Sequence, residues 1–202
     1  MMKLLSSPAS PFGRKVKIAA GMKGVLGKID IQPADTNKGD ENLYRQNPLG
    51  KIPCLVTESG EAIYDSPVIC EYLDGLAPDP VLFPKSGPAR FKTLTMGALA
   101  DGILDAALLL VYEKRFRAED KQVQAWIDRQ QSKIDRALAQ LEKAPPAWDK
   151  SPDYGHLTLA CALGYLDFRH EGKWRAKHPK LIAWLDKFDK AVPDFAKTTP
   201  TG

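Results

Sequence analysis

A proline-rich segment at residues 77–88 divides this 202-residue chain into two parts of different character. Its sequence, APDPVLFPKSGP, holds four prolines and one glycine. Because proline removes a backbone donor and clashes inside a helix, so many breakers together favour a connection between domains. We therefore predict one domain at residues 1–78 and a second at residues 88–202.

The part before this linker alternates short apolar segments with helical patterns. Ser10 and Pro11 stand where a helix would begin, as N-cap and first helical residue. In chain order the predicted elements are a strand at 3–6, a helix at 11–22, a strand around 29–31, a loop with a short helix at 34–47, a hairpin at 54–57 and 61–63, and a helix from 65 that ends before 78. This order predicts a compact α/β domain.

The part after the linker is poor in strand signals and rich in good helix formers. Residues 89–117 and 118–143 predict two long helices. Further helices are expected at 157–169 and 179–192, and the C-terminal residues FAKTTPTG are expected to fray. The apolar stripe of the second long helix is formed by Ile127, Ile134, Leu138 and Leu141. The second domain is therefore predicted to be all-α.

The composition is that of an ordinary globular protein, with 44% hydrophobic and 27% charged residues. The first ten residues lack the apolar stretch of a secretory signal, and no run approaches the ~20 apolar residues of a membrane helix. We therefore expect a cytoplasmic protein that binds no membrane. Acidic residues alternate with the basic ones that give the net charge of +4, which disfavours nucleic-acid binding.

The three cysteines are odd in number, widely spaced and embedded in apolar sequence. Cys54, Cys70 and Cys161 are therefore interpreted as buried thiols, and neither a disulfide framework nor a metal site is expected.

The segment PASPFGRKV places the hydroxyl of Ser10 where a strand turns into a helix. The unpaired N–H groups and the dipole at a helix start favour an anion, so a thiol bound there would lose its proton more easily than in water. Ser10 could donate a hydrogen bond to that thiolate. The alternative is that Ser10 serves only as an N-cap.

The segment NPLGKIP, residues 47–53, places two prolines around a glycine immediately before a strand. A cis Ile52–Pro53 bond would leave the N–H and C=O of Ile52 free to pair with an extended peptide ligand. The alternative is an ordinary loop proline in trans.

Asp65 and Ser66 stand at the start of a helix, in the segment YDSPVICEYL. Ser66 can hold a carboxylate at the positive helix end, while Asp65 can pair with an amine. Together they match an α-amino acid, and the alternative is a simple capping pair.

With these three segments in this order, the chain resembles the cytosolic glutathione transferase family from end to end. NPLGKIP is similar to the family's cis-proline loop, and YDSPVICEYL resembles its motif for the γ-glutamyl group. PASPFGRKV resembles the active-site turn of the serine-type classes, and also the CPF turn of the cysteine-type members with serine in place of cysteine. ALADGILDAAL and ACALGYLDFR are closest to bacterial members.

The resemblance implies a thioredoxin-like first domain, a helical second domain and an enzyme that joins the glutathione thiolate to small apolar electrophiles, as in detoxification. Ser10 would be catalytic. Glutathione would be the substrate, no metal would be needed, and the protein would be a homodimer in which Asp101 could reach the partner's γ-glutamyl amine. The implied glutathione-binding residues are Phe12, Lys51, Ile52, Pro53, Asp65 and Ser66, and the implied cosubstrate pocket between the domains is lined by Pro8, Ala9, Leu108 and Tyr112.

Two other functions stay open at this point. A thiol–disulfide oxidoreductase is disfavoured, because Ser10 replaces the cysteine and the chain has no C-x-x-C. A non-catalytic or regulatory glutathione-binding protein would keep the same fold. The sequence departs from the family where Thr158 is followed three residues later by Cys161 and not by an acid, so Asp153 or His156 is expected to cap that helix.

Overall fold

The computed structural model describes residues 1–37 and 39–201. The chain divides into two compact units, and the first of them includes Met1–Gly87. This first unit contains one sheet with the strand order β2-β1-β3-β4. The elements of this part are β1 (Met2–Ser6), α1 (Pro11–Met22), a 3₁₀ helix (Leu26–Lys28), β2 (Ile29–Pro33), α2 (Glu41–Gln46), β3 (Cys54–Val56), β4 (Ala62–Ile63) and α3 (Ser66–Asp74). The predicted α/β order is confirmed, and the mixed four-stranded sheet has the thioredoxin-like arrangement.

Strand β1 lies at the centre of the sheet and sets the register of its neighbours. It is parallel to β2, with Leu4 opposite Ile31, because α1 forms the crossover between them. It is antiparallel to β3, with Leu5 opposite Cys54, and β4 continues from β3 as a hairpin. Both faces of the sheet are covered at β1, since the consecutive residues Leu4 and Leu5 point to opposite faces and both are almost fully inaccessible to solvent.

Helices α1 and α3 pack against each other and supply much of the core of this unit. The buried side of α1 is apolar at Val16, Ile18 and Ala19, as its spacing predicts. Gly13 lets α1 approach the end of β1, since a Cβ at that position would collide with the Ser6 hydroxyl. The start of α1 is therefore fixed directly against the central strand.

The second unit is formed by helices, as predicted. Helix α4 begins and ends within two residues of its predicted bounds, whereas α5 begins six residues later than expected, after a 3₁₀ turn at Glu119–Lys121. The helices are α4 (Gly87–Phe116), α5 (Gln124–Lys143), α6 (Tyr154–Arg169) and α7 (Pro179–Ala191), with a second 3₁₀ helix at Lys173–Lys177. Helix α6 is buried almost throughout its length, so it is the core helix of this unit.

Helix α6 begins three residues earlier than the sequence predicts, because a reciprocal cap forms one turn upstream of Thr158. The Asp153 carboxylate accepts the backbone N–H of His156 at 3.1 Å, and His156 Nδ1 accepts the backbone N–H of Asp153 at 3.2 Å. Thr158 lies inside the helix and donates its hydroxyl to the carbonyl of Tyr154 at 2.8 Å. The expectation that Asp153 or His156 caps the helix is confirmed, and both residues take part.

The C-terminal segment corrects two expectations. Residues 192–201 group with the first unit, which otherwise spans Met1–Gly87, whereas they were assigned to the helical domain. They are also not frayed, since α8 (Asp194–Lys197) packs against α1. The cause is Arg14, which is only 3% exposed and donates from Nη2 to the carbonyl of Phe195 at 2.7 Å.

Helix α4 is long and apolar enough to cross a membrane by length and composition alone, with a mean hydropathy of 1.8 over its most apolar stretch. Glycines and charged residues interrupt its apolar residues, so it contains no unbroken apolar run that would predict a membrane span. A helix of a soluble helical domain passes the same test, so this property does not place the chain in a membrane.

Candidate functional site

Ser10 is the N-cap of α1, with extended backbone at φ −77° and ψ 118°. Its Oγ accepts the backbone N–H of Gly13 at 3.1 Å, and Pro11 takes the first helical position. A serine hydroxyl can accept and donate at the same time. Among the residues that the structure describes, the Ser10 O–H donates to none, so capping leaves this half-buried donor available to a ligand.

The turn before Ser10 is held by its own hydrogen bonds. The N–H of Ser10 donates to the carbonyl of Ser7 at 3.1 Å, and the carbonyl of Ser10 accepts the N–H of Arg14 at 2.9 Å. Phe12, in the first turn of α1, is half-buried, with the Lys15 ammonium 5.8 Å from its ring centroid. These hydrogen bonds fix the backbone on both sides of Ser10 and so hold its hydroxyl in place at the start of α1.

The loop at 47–53 is organised by Asn47, which is 2% exposed. Its Oδ1 accepts the N–H of Leu49 at 3.0 Å, its Nδ2 donates to the carbonyl of Lys51 at 2.9 Å, and its own carbonyl accepts the N–H of Gly50 at 2.8 Å. Gly50 has φ +59°, a conformation that favours glycine. The role of Asn47 was not predicted from the sequence, although Asn followed by Pro is a recognised turn signal.

The Ile52–Pro53 peptide bond is cis, as predicted. The N–H of Ile52 donates to no acceptor among residues 1–37 and 39–201. Ile52 is half-buried and packs against the core cluster that contains Leu5 and Cys54. The backbone next to β3 is therefore open to pairing with an added strand.

Asp65 and Ser66 differ from an ordinary capping pair. Asp65 is the N-cap of α3 by position, yet its carboxylate makes no capping hydrogen bond and pairs with no cation in the described part of the chain. The Ser66 hydroxyl likewise has no described partner, and Ser66 is 1% exposed. The peptide bond between Tyr64 and Asp65 is cis. Side-chain capping therefore does not account for Asp65.

The sheet register brings the turn before Ser10, the 47–53 loop and the start of α3 to the same end of the sheet, which is called the sheet edge below. Leu5 is opposite Cys54, and Leu55 is opposite Ile63. In an antiparallel pair, residues that follow one strand lie beside residues that precede its partner. The turn that leads to Ser10, the 52–53 bond and the start of α3 therefore share the end of the sheet where β1 terminates.

Burial raises the pKa of the Cys54 thiol to about 11, and the side chain is inaccessible to solvent. Cys54 directly follows Pro53 in the chain, so its thiol is the one to consider as a possible nucleophile at this site. At neutral pH it is a protonated core residue and not a nucleophile. Cys70 and Cys161 are also buried, in agreement with the sequence analysis.

The residues predicted to line a cosubstrate pocket are placed as follows. Pro8 is exposed and Ala9 half-buried, and Pro8 borders a cavity of about 260 Å³ within the first unit, together with Lys17, Leu26, Ile31, Asp194, Lys197, Thr198 and Thr199. In the helical unit Leu108 and Tyr112 are half-buried on α4. Asp101 accepts the hydroxyl of Tyr154 at 3.0 Å, a contact inside its own unit.

No group of three or more His, Cys, Asp or Glu side chains that could hold a metal ion is present within the described ranges 1–37 and 39–201. The polar groups at the sheet edge are the hydroxyls of Ser10 and Ser66, the carboxylate of Asp65 and backbone N–H groups such as that of Ile52. Such groups bind a peptide-like ligand with charged ends.

The fold is that of a two-domain protein, with a thioredoxin-like first unit and a helical second unit. Residues 4–81 match the glutathione S-transferase N-terminal domain, and residues 124–187 match the glutathione S-transferase C-terminal domain. The GST-like protein YibF of Escherichia coli (strain K12) is 36% identical over 204 residues, covering 98% of both chains. The chain belongs to the glutathione transferase family.

Solved structures agree with this assignment. A glutathione transferase family member from Pseudomonas fluorescens Pf-5 with bound glutathione is 40% identical, covers 100% of both chains and has a TM-score of 0.93. A second structure from the same organism contains S-(propanoic acid)-glutathione, at 39% identity, full coverage of both chains and a TM-score of 0.88. Glutathione is therefore bound by proteins of this fold that are similar over their whole length.

Proposed function

We propose that this protein is a glutathione transferase that joins the glutathione sulfur to small apolar electrophiles. The observation that carries the proposal is the Ser10 hydroxyl, which caps α1 and still has a proton to donate at the sheet edge shared with the cis Ile52–Pro53 bond and Asp65. The glutathione bound in the related Pseudomonas structure supports the identity of the ligand.

In the proposed complex, each end of glutathione has its own contacts. Asp65 pairs with the α-amine of the γ-glutamyl group, and Ser66 donates to its α-carboxylate at the start of α3. Ile52 pairs with the cysteinyl backbone, next to Pro53. Lys51 and Phe12 contact the remainder of the tripeptide. The sulfur then faces Ser10 and the first N–H groups of α1.

The reaction at that point needs no protein nucleophile. The glutathione thiol gives its proton to solvent, and the hydrogen bond from Ser10 stabilises the thiolate. With an aryl chloride, the sulfur lone pair forms the S–C bond, the C–Cl bond breaks, and chloride leaves with the bonding pair. Pro8, Ala9, Leu108 and Tyr112 are the proposed contacts of the electrophile.

Two measurements test this function separately. Calorimetry should show glutathione binding, and 1-chloro-2,4-dinitrobenzene should be converted with release of one chloride per conjugate. Binding without turnover of several electrophile classes would favour the alternative of a non-catalytic glutathione-binding protein. A thiol–disulfide oxidoreductase is the weaker alternative, because position 10 is serine and the neighbouring Cys54 thiol is buried and protonated.

We further propose a cytoplasmic homodimer with a role in detoxification. Apolar side chains exposed on the first unit and on α4, such as Val68 at 51% and Phe91 at 69%, offer surface for a second copy. Asp101 remains a proposed contact of the partner's ligand. Light scattering at micromolar concentration tests the dimer, and a monomer under these conditions contradicts it.

A further inference from the structure

The hydroxyl of Ser6 lies at the end of β1, against the first turn of α1. Ser6 is 2% exposed, and its Oγ donates to the carbonyl of Ser7 at 3.5 Å. The same carbonyl accepts the backbone N–H of Ser10 at 3.1 Å. Ser6 and Ser10 therefore share one acceptor in the turn that joins β1 to α1.

Gly13 contacts the same group of residues from the side of the helix. Its N–H donates to Ser10 Oγ at 3.1 Å. A Cβ added to Gly13 would lie 3.5 Å from Ser10 Cβ and 3.3 Å from Ser6 Cβ, and it would collide with Ser6 Oγ. The contacts thus run in a closed ring from Ser6 through Ser7 and Ser10 to Gly13, and back to Ser6. We call these four residues the serine–glycine ring.

The backbone of Gly13 does not itself require glycine. Gly13 lies in α1 and its φ is not positive, so alanine, the better helix former, could take the same conformation. Ser6 is what opposes a side chain there. Rotation of Ser6 would break its hydrogen bond and still leave the two Cβ atoms 3.3 Å apart, closer than an ordinary carbon contact. The size of residue 13 therefore decides how closely the start of α1 approaches β1.

We propose that Ser6 and Gly13 are positioning residues that act through Ser10, because their contact fixes the start of α1 and so the direction of the Ser10 hydroxyl. Ser10 Oγ is bound to the Gly13 N–H, so a shift of Gly13 moves the hydroxyl away from the glutathione sulfur. A misplacement of about 1 Å near a reacting group can cost about 100-fold in rate. This inference rests on the proposed function, because it explains how the same site holds Ser10.

The test changes the two residues singly and together. G13A pushes the start of α1 away from Ser6, so turnover of 1-chloro-2,4-dinitrobenzene should fall by about 10- to 100-fold. S6G leaves a gap beside Gly13 and removes the hydrogen bond to Ser7, so turnover should fall by about 3- to 10-fold. In S6G/G13A the alanine methyl fills the space of the Ser6 side chain, and turnover should return to within about threefold of the wild type.

Two further measurements separate positioning from a general loss of stability. The pKa of the bound glutathione thiol, followed by the ultraviolet absorbance of the thiolate, should rise in G13A and return in S6G/G13A. Glutathione affinity should change by less than about threefold, because Asp65 and Ser66 hold the rest of the tripeptide. In an S10A background, G13A should lower turnover by less than about threefold, since the hydroxyl through which it acts is absent.

A matched control is available on another helix. Gly102 lies at an exposed position of α4, and a Cβ added there would find open space around it in the described part of the chain. G102A should therefore keep the wild-type turnover and thiol pKa. Circular dichroism checks that each variant is folded.

Three results would overturn the positioning role. The first is wild-type turnover and thiol pKa in G13A. The second is a loss in folded G13A that S6G/G13A does not restore, and the third is a loss that is equally large in the S10A background. If G13A does not fold, S6G decides, because a wild-type thiol pKa and turnover in S6G overturn the role of Ser6.

The outcomes separate this inference from the proposed function. A thiol pKa that rises in G13A and recovers in S6G/G13A, in a protein that turns over no electrophile, supports the positioning role and contradicts the transferase. Turnover of 1-chloro-2,4-dinitrobenzene with a thiol pKa that ignores residues 6 and 13 supports the transferase and overturns the positioning role.

Discussion

Arg14 joins the first helix to the last one through the carbonyl of Phe195, which accepts Nη2–H at 2.7 Å. The Arg14 Cζ atom also lies 3.9 Å from the ring centroid of Phe195, and Nε donates to Thr198 Oγ1 at 3.3 Å. The N–H of the same arginine donates to the carbonyl of Ser10. The C-terminal residues are therefore fixed to the helix that carries the candidate catalytic hydroxyl.

We expect Arg14→Ala to lower the free energy of unfolding by about 2–4 kcal/mol, because a buried carbonyl loses a charged donor and the Phe195 ring loses its cation. Urea denaturation followed by circular dichroism measures this change. Arg136→Ala, at an exposed position of α5, should change it by less than about 0.5 kcal/mol. Equal stability of the two variants would show that the Arg14 contacts contribute nothing.

The sequence predicts the α/β unit well because its signals are local. Ser10 and Pro11 begin α1, and Ser59 and Gly60 lie in the turn between β3 and β4. Each of these features depends on residues that are neighbours in the chain, so a pattern of residue types is enough to find it.

The long-range contacts could not be predicted in this way. Arg14 and Phe195 are 181 positions apart, and nothing in FAKTTPTG indicates that this segment packs against α1. The start of α6 was misplaced because the reciprocal cap uses Asp and His instead of the usual Ser/Thr and acid pair.

The α6 cap should make stability depend on pH. Burial alone would raise the pKa of Asp153, but hydrogen bonds from His156 and Thr93 and the charge of His156 together lower it below the ordinary value of 3.8. A carboxyl whose pKa falls on folding stabilises the folded state above its unfolded pKa and loses that contribution as the pH falls through the folded pKa.

Asp153→Asn keeps a capping oxygen but loses the charge, so it should lower the free energy of unfolding by about 1 kcal/mol at pH 7, the difference between a charged and a neutral hydrogen bond. This difference from the wild type should shrink as the pH falls below 3.8. Urea titrations at several pH values measure the difference. Asp149→Asn is the matched control, because Asp149 is exposed just before the helix. A difference that stays constant down to pH 3 would contradict the assignment.

Asp65→Asn and Ser66→Ala test the contacts proposed for the γ-glutamyl group. Each change should raise the KM for glutathione by about 5- to 50-fold, while kcat should change much less. Asp65→Asn removes the charge that pairs with the α-amine, and Ser66→Ala removes the hydroxyl that donates to the α-carboxylate. Steady-state kinetics at saturating electrophile give both values. Asp189→Asn, an exposed position of α7, serves as the control. Unchanged KM values in both variants would remove these residues from the binding site.

Ser10→Ala tests the assignment on which the proposed reaction depends. Turnover of 1-chloro-2,4-dinitrobenzene should fall by about tenfold to a thousandfold, the range for losing one hydrogen bond to a reacting anion. Glutathione binding should change much less, because Ile52, Asp65 and Ser66 hold the rest of the tripeptide while Ser10 meets only the sulfur. The pKa of the bound thiol should rise, which shifts the pH dependence of the rate upward.

The same change also removes the cap on Gly13, which costs about 1 kcal/mol of stability, so the unfolding midpoint must be measured beside the kinetics. Ser7→Ala is the matched control: Ser7 lies in the same turn and accepts the N–H of Ala9 at 3.4 Å, but it does not stand at the helix start. It should keep wild-type turnover. If Ser10→Ala keeps both the wild-type turnover and the wild-type pH profile, the backbone N–H groups at the start of α1 activate the thiol, and Ser10 is only a cap.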